Sequence, residues 1–222
     1  MKIKIIAVST IAFVLLVGVL GVQQYISSQI TSRVEREIPE ASGVSASVPL
    51  ADLPSNITSD SIKSVNISIK SFVLKENGTK TSLEISASDI SKAKPTMAGS
   101  LEVTATISAS TIAESSEFND AQIVGNTVQV SAGPGGVGTA LLIPKYSNSQ
   151  LYFELQSISF LGNQIPASSL PAELQNQIKS RSQRSLTPPK GLTVESVSLS
   201  SKGLSVKMSG SNIQLGNLGS SL

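Results

Sequence analysis

The chain has 222 residues, of which 40% are hydrophobic and only 14% are charged, and its formal net charge is +2. It contains neither Cys nor His, which excludes disulfides, thiolate metal sites, a Ser-His-Asp triad and a histidine-ligated zinc site. A charge this small gives no argument for nucleic-acid binding. We therefore predict a protein that is not an enzyme, uses no cofactor or metal and binds no nucleic acid.

The N-terminal segment, residues 1–22, has the features of a membrane anchor. Lys2 and Lys4 precede eighteen uncharged residues that begin at Ile5 and end at Val22. As a helix this stretch would span ~27 Å, close to the ~30 Å hydrocarbon core, and the two lysines orient its start toward the cytoplasm. We predict a signal-anchor that crosses the cytoplasmic membrane, with a cleaved secretory signal as the alternative. The bulk of the chain would then be extracytoplasmic: a single-pass protein of the cell membrane, or a secreted one if the segment is cleaved.

Residues 23–40 are predicted to form an amphipathic helix. Ile26, Ile30, Val34 and Ile38 recur at every fourth position, and Pro39 ends the pattern. The apolar stripe could lie on lipid headgroups, extend the anchor or pack on the following domain.

Residues 41–222 are predicted to form one domain built mainly from strands. Aliphatic and polar residues alternate there in many short runs, with turn signals between them. Closely spaced strands of this kind indicate antiparallel pairing, in which each strand has one apolar face. The runs are centred on Val65–Ile69, Leu83–Ala87, Leu101–Ala109, Val128–Val130, Leu141–Ile143, Leu151–Leu155, Leu192–Leu199 and Leu204–Met208, with Ile213 and Leu215 as a possible last strand.

Two helical segments are available to cover the apolar faces. One runs from about Thr111 to Phe118, and the other is SLPAELQNQIKSRSQRSL, in which Leu170, Leu174 and Ile178 form a one-sided stripe. Because one amphipathic helix cannot cover many strands laid flat, we predict an α+β, mainly β fold. In it a strongly curved antiparallel sheet wraps around the helix.

The sequence GPGGVG, residues 133–138, matches the glycine pattern of a dinucleotide-binding loop. Such a loop must open a helix, whereas the TALLIPKYS that follows favours a strand and contains Pro144. We interpret the motif as the loop of a hairpin.

The C-terminal part carries a family resemblance. PPKGLTVESVSLSSKGLSVKMSGSNIQL, residues 188–215, is similar to the end of the LmeA-like phospholipid-binding family of actinobacterial cell envelopes, with its Gly-Leu-x-Val-x-x-x-Gly element as the most specific part. LEISASDISKAKPTMAGSLEVTATIS, residues 83–108, resembles the middle of that family. The resemblance covers roughly residues 24–215. It implies a tubular lipid-binding fold, extracytoplasmic binding of phospholipid, and a role in envelope maintenance or glycolipid maturation.

Holding a lipid requires a continuous apolar lining. An acyl chain of ordinary length costs on the order of 10 kcal/mol to expose to water, and the carrier must offset most of that. Candidate lining residues follow from the alternation of the strands and of the second helix: Leu101, Val103, Ile107, Val128, Val130, Leu151, Phe153, Leu155, Leu174, Ile178, Leu204 and Val206.

A second function stays open. The strands could instead form a structural envelope domain that binds an unidentified protein through a sheet edge and holds no ligand. A core filled by the protein's own side chains would favour this alternative over the phospholipid-binding one.

Overall fold

The structure, a computed structural model, describes residues 31–32, 41–49, 52, 56, 58–74, 79–115, 120–133 and 136–215. The predicted anchor, residues 1–22, lies outside the described residues, as does most of the predicted helix at 23–40. Thr31 and Ser32 are helical. In the described part of the chain, no helix has both the length and the apolar character needed to cross a membrane.

The prediction of a mainly β, antiparallel fold is confirmed. Twelve strands, two α-helices with defined bounds and a 3-10 helix at Ala167–Ser169 are present among the described residues, and every strand pair with a defined register is antiparallel. The strands are β1 Ser42–Ser47, β2 Ser61–Leu74, β3 Thr79–Ser91, β4 Met97–Ser108, β5 Gln122–Val124, β6 Thr127–Ala132, β7 Gly138–Ser147, β8 Gln150–Phe160, β9 Asn163–Pro166, β10 Arg184–Ser185, β11 Thr193–Ser200 and β12 Gly203–Gln214; the helices are α1 Ala109–Ser115 and α2 Ala172–Ser182.

The strands form two sheets, not one. Sheet A has six strands in the order β1-β2-β3-β4-β12-β11, and sheet B has the order β10-β8-β7-β6-β5 with β9 paired to β8. The sequence alternation predicts which residues form strands, but it does not say which strands pair. The prediction of one sheet therefore differs from the structure.

The chain also divides into two compact units. In the described residues, one unit contains 41–105, 188–195 and 207–215, and the other contains 106–187 and 196–206. The first holds most of sheet A, and the second holds sheet B with both helices. The domain boundaries 1–22, 23–40 and 41–222 stay predictions.

Helix α2 is not enclosed by a sheet. It packs on β8, and Ser182 is its one buried residue. Leu174, Gln175 and Ile178 are half-buried, while Glu173, Lys179 and most other polar positions are exposed. A helix inside a curved sheet must be apolar on all sides, and a stripe of three aliphatic residues covers only one side. The low burial of α2 therefore disagrees with the prediction that a sheet wraps around this helix.

The glycine-rich segment at 133–138 joins β6 to β7, which pair antiparallel from Ala132↔Gly138 onward. The N–H of Gly136 donates to the carbonyl of Gly133 at 3.2 Å, and both residues have positive φ. The element that follows is a strand, so the hairpin-loop interpretation is confirmed.

Candidate functional site

The aliphatic face of sheet A is defined by residues that lie opposite one another on neighbouring strands. Ala46 of β1 faces Ile67 of β2, which faces Ile85 of β3. Val44, Ile69 and Leu83 form the next row. The central members of these rows are no more than 2% exposed. Burial of branched side chains on one face explains why these strands form with this register, since a slip of one residue would turn the whole face to water.

The aliphatic face of sheet B is built in the same way. Val128 of β6, Leu142 of β7 and Leu155 of β8 form one row, and Val130, Ala140 and Ile158 form the next. Ile165 of β9 extends the second row.

A β-bulge at Gln156 decides which residues of β8 share this face. Leu141 pairs with Ser157 but Leu142 pairs with Leu155, so Gln156 is the extra residue. Before the bulge, odd-numbered residues lie on the aliphatic face; after it, even-numbered residues do. Simple alternation from Leu151 to Leu155 therefore misses Ile158 and Phe160.

The twelve predicted lining residues are divided between the two sheets and α2. Those on β4 and β12 belong to sheet A, and those on β6 and β8 belong to sheet B. Eight are buried, at most 5% exposed: Leu101, Val103, Val128, Val130, Leu151, Leu155, Leu204 and Val206. The other four are half-buried: Ile107, Phe153, Leu174 and Ile178.

Helix α2 does not share a face with the predicted residues of β8. The Lys179 ammonium lies 4.4 Å from the centroid of the Tyr152 ring. Since neighbouring residues of a strand point to opposite faces, this contact is made on the side opposite Leu151 and Phe153. The structure therefore does not bring Leu174 and Ile178 onto the aliphatic face of sheet B.

Sequence reasoning also left large parts of both faces out of the candidate set. Ile67, Ile69, Leu83 and Ile85 were recognised as strand residues, and Met208 is fully buried on β12. The Leu141–Ile143 run shows no alternation with polar residues, so it could not reveal that Leu142 is 1% exposed while both its neighbours are half-buried.

The opposite face of sheet A holds a polar groove with a volume of about 280 Å³. Hydroxyls and two carboxylates line most of it: Ser45, Ser47, Ser68, Ser86, Glu84 and Glu102. This volume lies below the ~300–1,000 Å³ of ordinary ligand pockets, and eight of the ten lining residues are polar, the exceptions being Ile67 and Ile85. The groove does not have the chemistry to hold acyl chains, and none of the twelve predicted residues borders it.

A small charge cluster lies on the polar side of β4, β11 and β12. The Lys207 Nζ is 2.9 Å from Glu102 Oε2 and 3.5 Å from Glu195 Oε2, and the Ser209 hydroxyl donates to Glu195. The Ser209 hydrogen bond, with a smaller contribution from Lys207, lowers the pKa of Glu195. The hydrogen bond to Glu102 raises the pKa of Lys207. All three side chains are about half exposed, so the cluster adds little to stability and serves no evident chemistry.

The two glycines of the C-terminal signature are explained by close backbone contacts. A Cβ on Gly203 would lie 1.9 Å from the Ile107 carbonyl oxygen, and a Cβ on Gly210 would lie 2.3 Å from the Gly191 carbonyl oxygen. Between them, Leu204, Val206 and Met208 are buried. The signature therefore describes one strand that lies against neighbouring backbone at both ends.

The fold defines a class, a mainly β protein made of two antiparallel sheets, each with one aliphatic face. A family model described as LmeA-like phospholipid-binding matches residues 16–209, and the chain belongs to that family. This match confirms the resemblance found in the sequence, and the description of the family supports phospholipid as the ligand. No curated protein and no solved structure matches the chain.

Proposed function

We propose that this protein binds phospholipid outside the cytoplasm and shelters the acyl chains against the aliphatic faces of its sheets. The observation that carries the proposal is the family match over residues 16–209. The cross-strand rows support it, because each presents branched aliphatic side chains without an intervening polar group. The cellular role that follows is maintenance of the envelope or maturation of its glycolipids.

Entry of a lipid requires movement. Leu101, Val103 and Val130 are 0–3% exposed, so protein atoms cover them, and taken alone this burial favours the ligand-free structural role. An acyl chain reaches such residues only where the covering segment moves aside. The aliphatic rows then replace the contacts that the acyl chain loses on leaving the membrane, at ~0.8 kcal/mol for each methylene. The tubular arrangement that the family resemblance implies would provide such a space.

Photocrosslinking of the full chain tests the ligand and its place together. The full chain is reconstituted with a phospholipid that carries a photoreactive group near the end of one acyl chain, and the adducts are mapped by mass spectrometry. We expect adducts on the aliphatic rows, at residues such as Val128, Leu142 and Leu155. Adducts confined to residues 1–22, or none at all, would overturn the proposal and leave the ligand-free structural role.

A pair of substitutions on β7 tests which face of sheet B binds, with circular dichroism to check that both variants fold, because Ala140 is only 3% exposed. Ala140→Phe places a ring on the aliphatic face, between Val130 and Ile158, and should lower the yield of adducts on that row. Thr139→Phe places the same ring on the opposite face, where Ser131 and Ser159 are its neighbours, and should leave the yield unchanged. Equal adduct yields in the two variants would argue against the aliphatic face as the site.

The anchor and its orientation belong to the same proposal. Residues 1–22 hold the chain in the cytoplasmic membrane, with the domain outside the cytoplasm, and the protein acts by binding and not by catalysis. N-terminal sequencing of the purified protein, together with protease treatment of intact cells and of inverted membrane vesicles, tests this arrangement. We expect the purified protein to begin at Met1. We expect the protease to cleave the domain only in intact cells whose outer layers are permeabilised. Digestion only in inverted vesicles would contradict it.

A further inference from the structure

Exposed apolar side chains are concentrated at one end of sheet B. Among the described residues, five large hydrophobic side chains are exposed, and four of them lie where the β6–β7 loop meets the β8–β9 turn: Val137 at 54%, Phe160 at 44%, Leu161 at 74% and Ile165 at 38%. The fifth, Val124, lies at the β5–β6 turn. We call these four side chains the apolar tip.

Strand register brings the members of the tip together. Phe160 pairs with Gly138, and a Cβ on Gly138 would be 3.4 Å from Cδ2 of the Phe160 ring. Val137 directly precedes Gly138, and Leu161 directly follows Phe160. Ile165 lies diagonally across from Phe160 on β9, on the same face. Gly133 and Gly162 in the adjoining turns have no heavy atom within 4 Å of a Cβ position, so the tip projects into open space.

The tip carries no charge. Residues 121–144 and 155–172, which form both sides of this end of the sheet, contain no Asp, Glu, Lys or Arg. The nearest charged residues on the same strands, Lys145 and Glu154, pair with each other at 3.9 Å. Lys145 is seven residues from Gly138, and Glu154 is seven residues from Leu161. One described carboxylate lies near this end of the sheet but off these strands: Asp120 accepts a hydrogen bond from the Ser131 N–H of β6 at 2.8 Å. Insertion of the four tip side chains would therefore strip water from no ionised group on β7, β8 or β9, and this avoids the largest cost of entering a membrane.

The conformation of Leu161 is unfavourable for leucine. Leu161 has φ +48° and Gly162 has φ +82°, and they form a two-residue hairpin loop closed by the Phe160↔Asn163 pair. Such loops favour Asn-Gly, because asparagine tolerates positive φ far better than leucine does. The β7–β8 turn has the same design but uses Asn148 and Ser149, with φ +52° and +57°. Leucine at the exposed loop therefore serves something other than the stability of the turn.

We propose that the apolar tip inserts into the surface of a phospholipid bilayer and docks this end of sheet B on the membrane. A bilayer fits because four side chains at two turns cannot supply the ~800 Å² that each partner contributes to a standard protein interface, whereas a few aliphatic and aromatic groups suffice to enter the acyl boundary. The proposal goes beyond the binding of single phospholipid molecules. It rests on the proposed function only in that phospholipid, the proposed ligand, is also the molecule that forms bilayers.

The absence of cysteine allows a direct test in the full chain, because each introduced cysteine is unique. The full chain is reconstituted in phosphatidylcholine vesicles, and Val137→Cys and Val124→Cys variants are labelled with an environment-sensitive fluorophore. The two valines are similarly exposed, at 54% and 50%, and both begin or end a turn of sheet B. We expect quenching by spin-labelled acyl chains at position 137 and none at position 124.

The variant Leu161→Asn, combined with the Val137 label, tests the tip without harming the fold. Because the substitution creates the favoured Asn-Gly loop, it should keep or raise the midpoint of thermal unfolding. If the Leu161 side chain served only the fold, the substitution would lower that midpoint. Loss of one leucine that inserts into the bilayer should shift the ratio of inserted to withdrawn tip by roughly tenfold or more toward the withdrawn state. Val124→Thr is the control and should change neither quantity.

Salt and lipid composition complete the test. Because the tip is uncharged, quenching at position 137 should be the same in 0.1 M and 1 M salt and should not need anionic lipid. Equal quenching at positions 137 and 124, or quenching that depends on anionic lipid and disappears in high salt, would overturn the proposal. Acyl-chain adducts on the aliphatic rows without tip quenching would leave the proposed function intact, and the reverse result would leave only the docking surface.

Discussion

Gly203 shows why a single residue of the family signature has no substitute. Its φ is +132°, and a Cβ would lie 1.9 Å from the Ile107 carbonyl oxygen and 3.0 Å from the Ala109 nitrogen. We expect Gly203→Ala to lower the free energy of unfolding by about 2–4 kcal/mol, measured by denaturant titration, since both strain and overlap act. Gly125→Ala is the control: its φ is +63° with nothing within 4 Å, so strain alone should cost ~1–2 kcal/mol. Equal losses would show that the backbone contact does not matter.

Glu195 provides a pH-dependent prediction at the same scale. Its folded pKa is lowered below the usual 4.5, chiefly by the Ser209 hydrogen bond. A lowered pKa means that the ionised form stabilises the fold above the unfolded value, and that this contribution is lost as the pH falls through the folded value. The difference in thermal midpoint between the native chain and Glu195→Gln should therefore be present at pH 7 and should disappear at strongly acidic pH.

Ser209→Ala is the companion variant for that comparison. In its background the largest cause of the lowered pKa is gone, so Glu195→Gln should then shift the midpoint less at pH 7. A difference that stays constant from neutral to acidic pH would contradict the assignment. The carboxylate is exposed, so the effect should be small and should weaken further in high salt.

At the scale of elements, helix α2 is attached to β8 through Ser182. The Phe153 N–H donates to the Ser182 hydroxyl oxygen at 2.9 Å, and that hydroxyl lies within 2.8 Å of the Ile178 carbonyl. Ser182→Ala leaves a part-buried N–H without this acceptor, so we expect a loss of about 1–3 kcal/mol in unfolding free energy. Ser180→Ala, on the exposed side of the helix, should be neutral or slightly stabilising because alanine favours helices. Similar effects of the two changes would rule out Ser182 as the attachment point.

At the scale of the whole molecule, the proposed ligand should stabilise the native chain. A ligand that binds only the folded state raises its free energy of unfolding by ~2.7 kcal/mol at a free concentration a hundred times the dissociation constant. Thermal unfolding of the full chain in a fixed detergent should therefore move to higher temperature as phospholipid is added. An unchanged midpoint across the titration, with a hydrocarbon of matched length as the control, would argue against a folded-state site.

The sequence by itself determined the local structure and the family. Period-two alternation identified β2, β3, β4, β6, β8, β11 and β12, and the turn chemistry identified the loop at residues 133–138, because these depend on neighbours along the chain. The lack of Cys and His excluded whole classes of chemistry. The signature from Gly203 to Gly210 identified the family before its physical reason was visible.

Tertiary structure alone decided how these elements pair and which faces they share. The division into two sheets depends on contacts between distant strands such as β4 and β12, and alternation is the same for either pairing. The bulge at Gln156 puts Ile158 and Phe160 on the aliphatic face. Helix α2 packs on the other face of β8, where Lys179 contacts the Tyr152 ring. One unpaired residue reverses every side chain beyond it, so the lining and the apolar tip depend on register, which a single sequence does not encode locally.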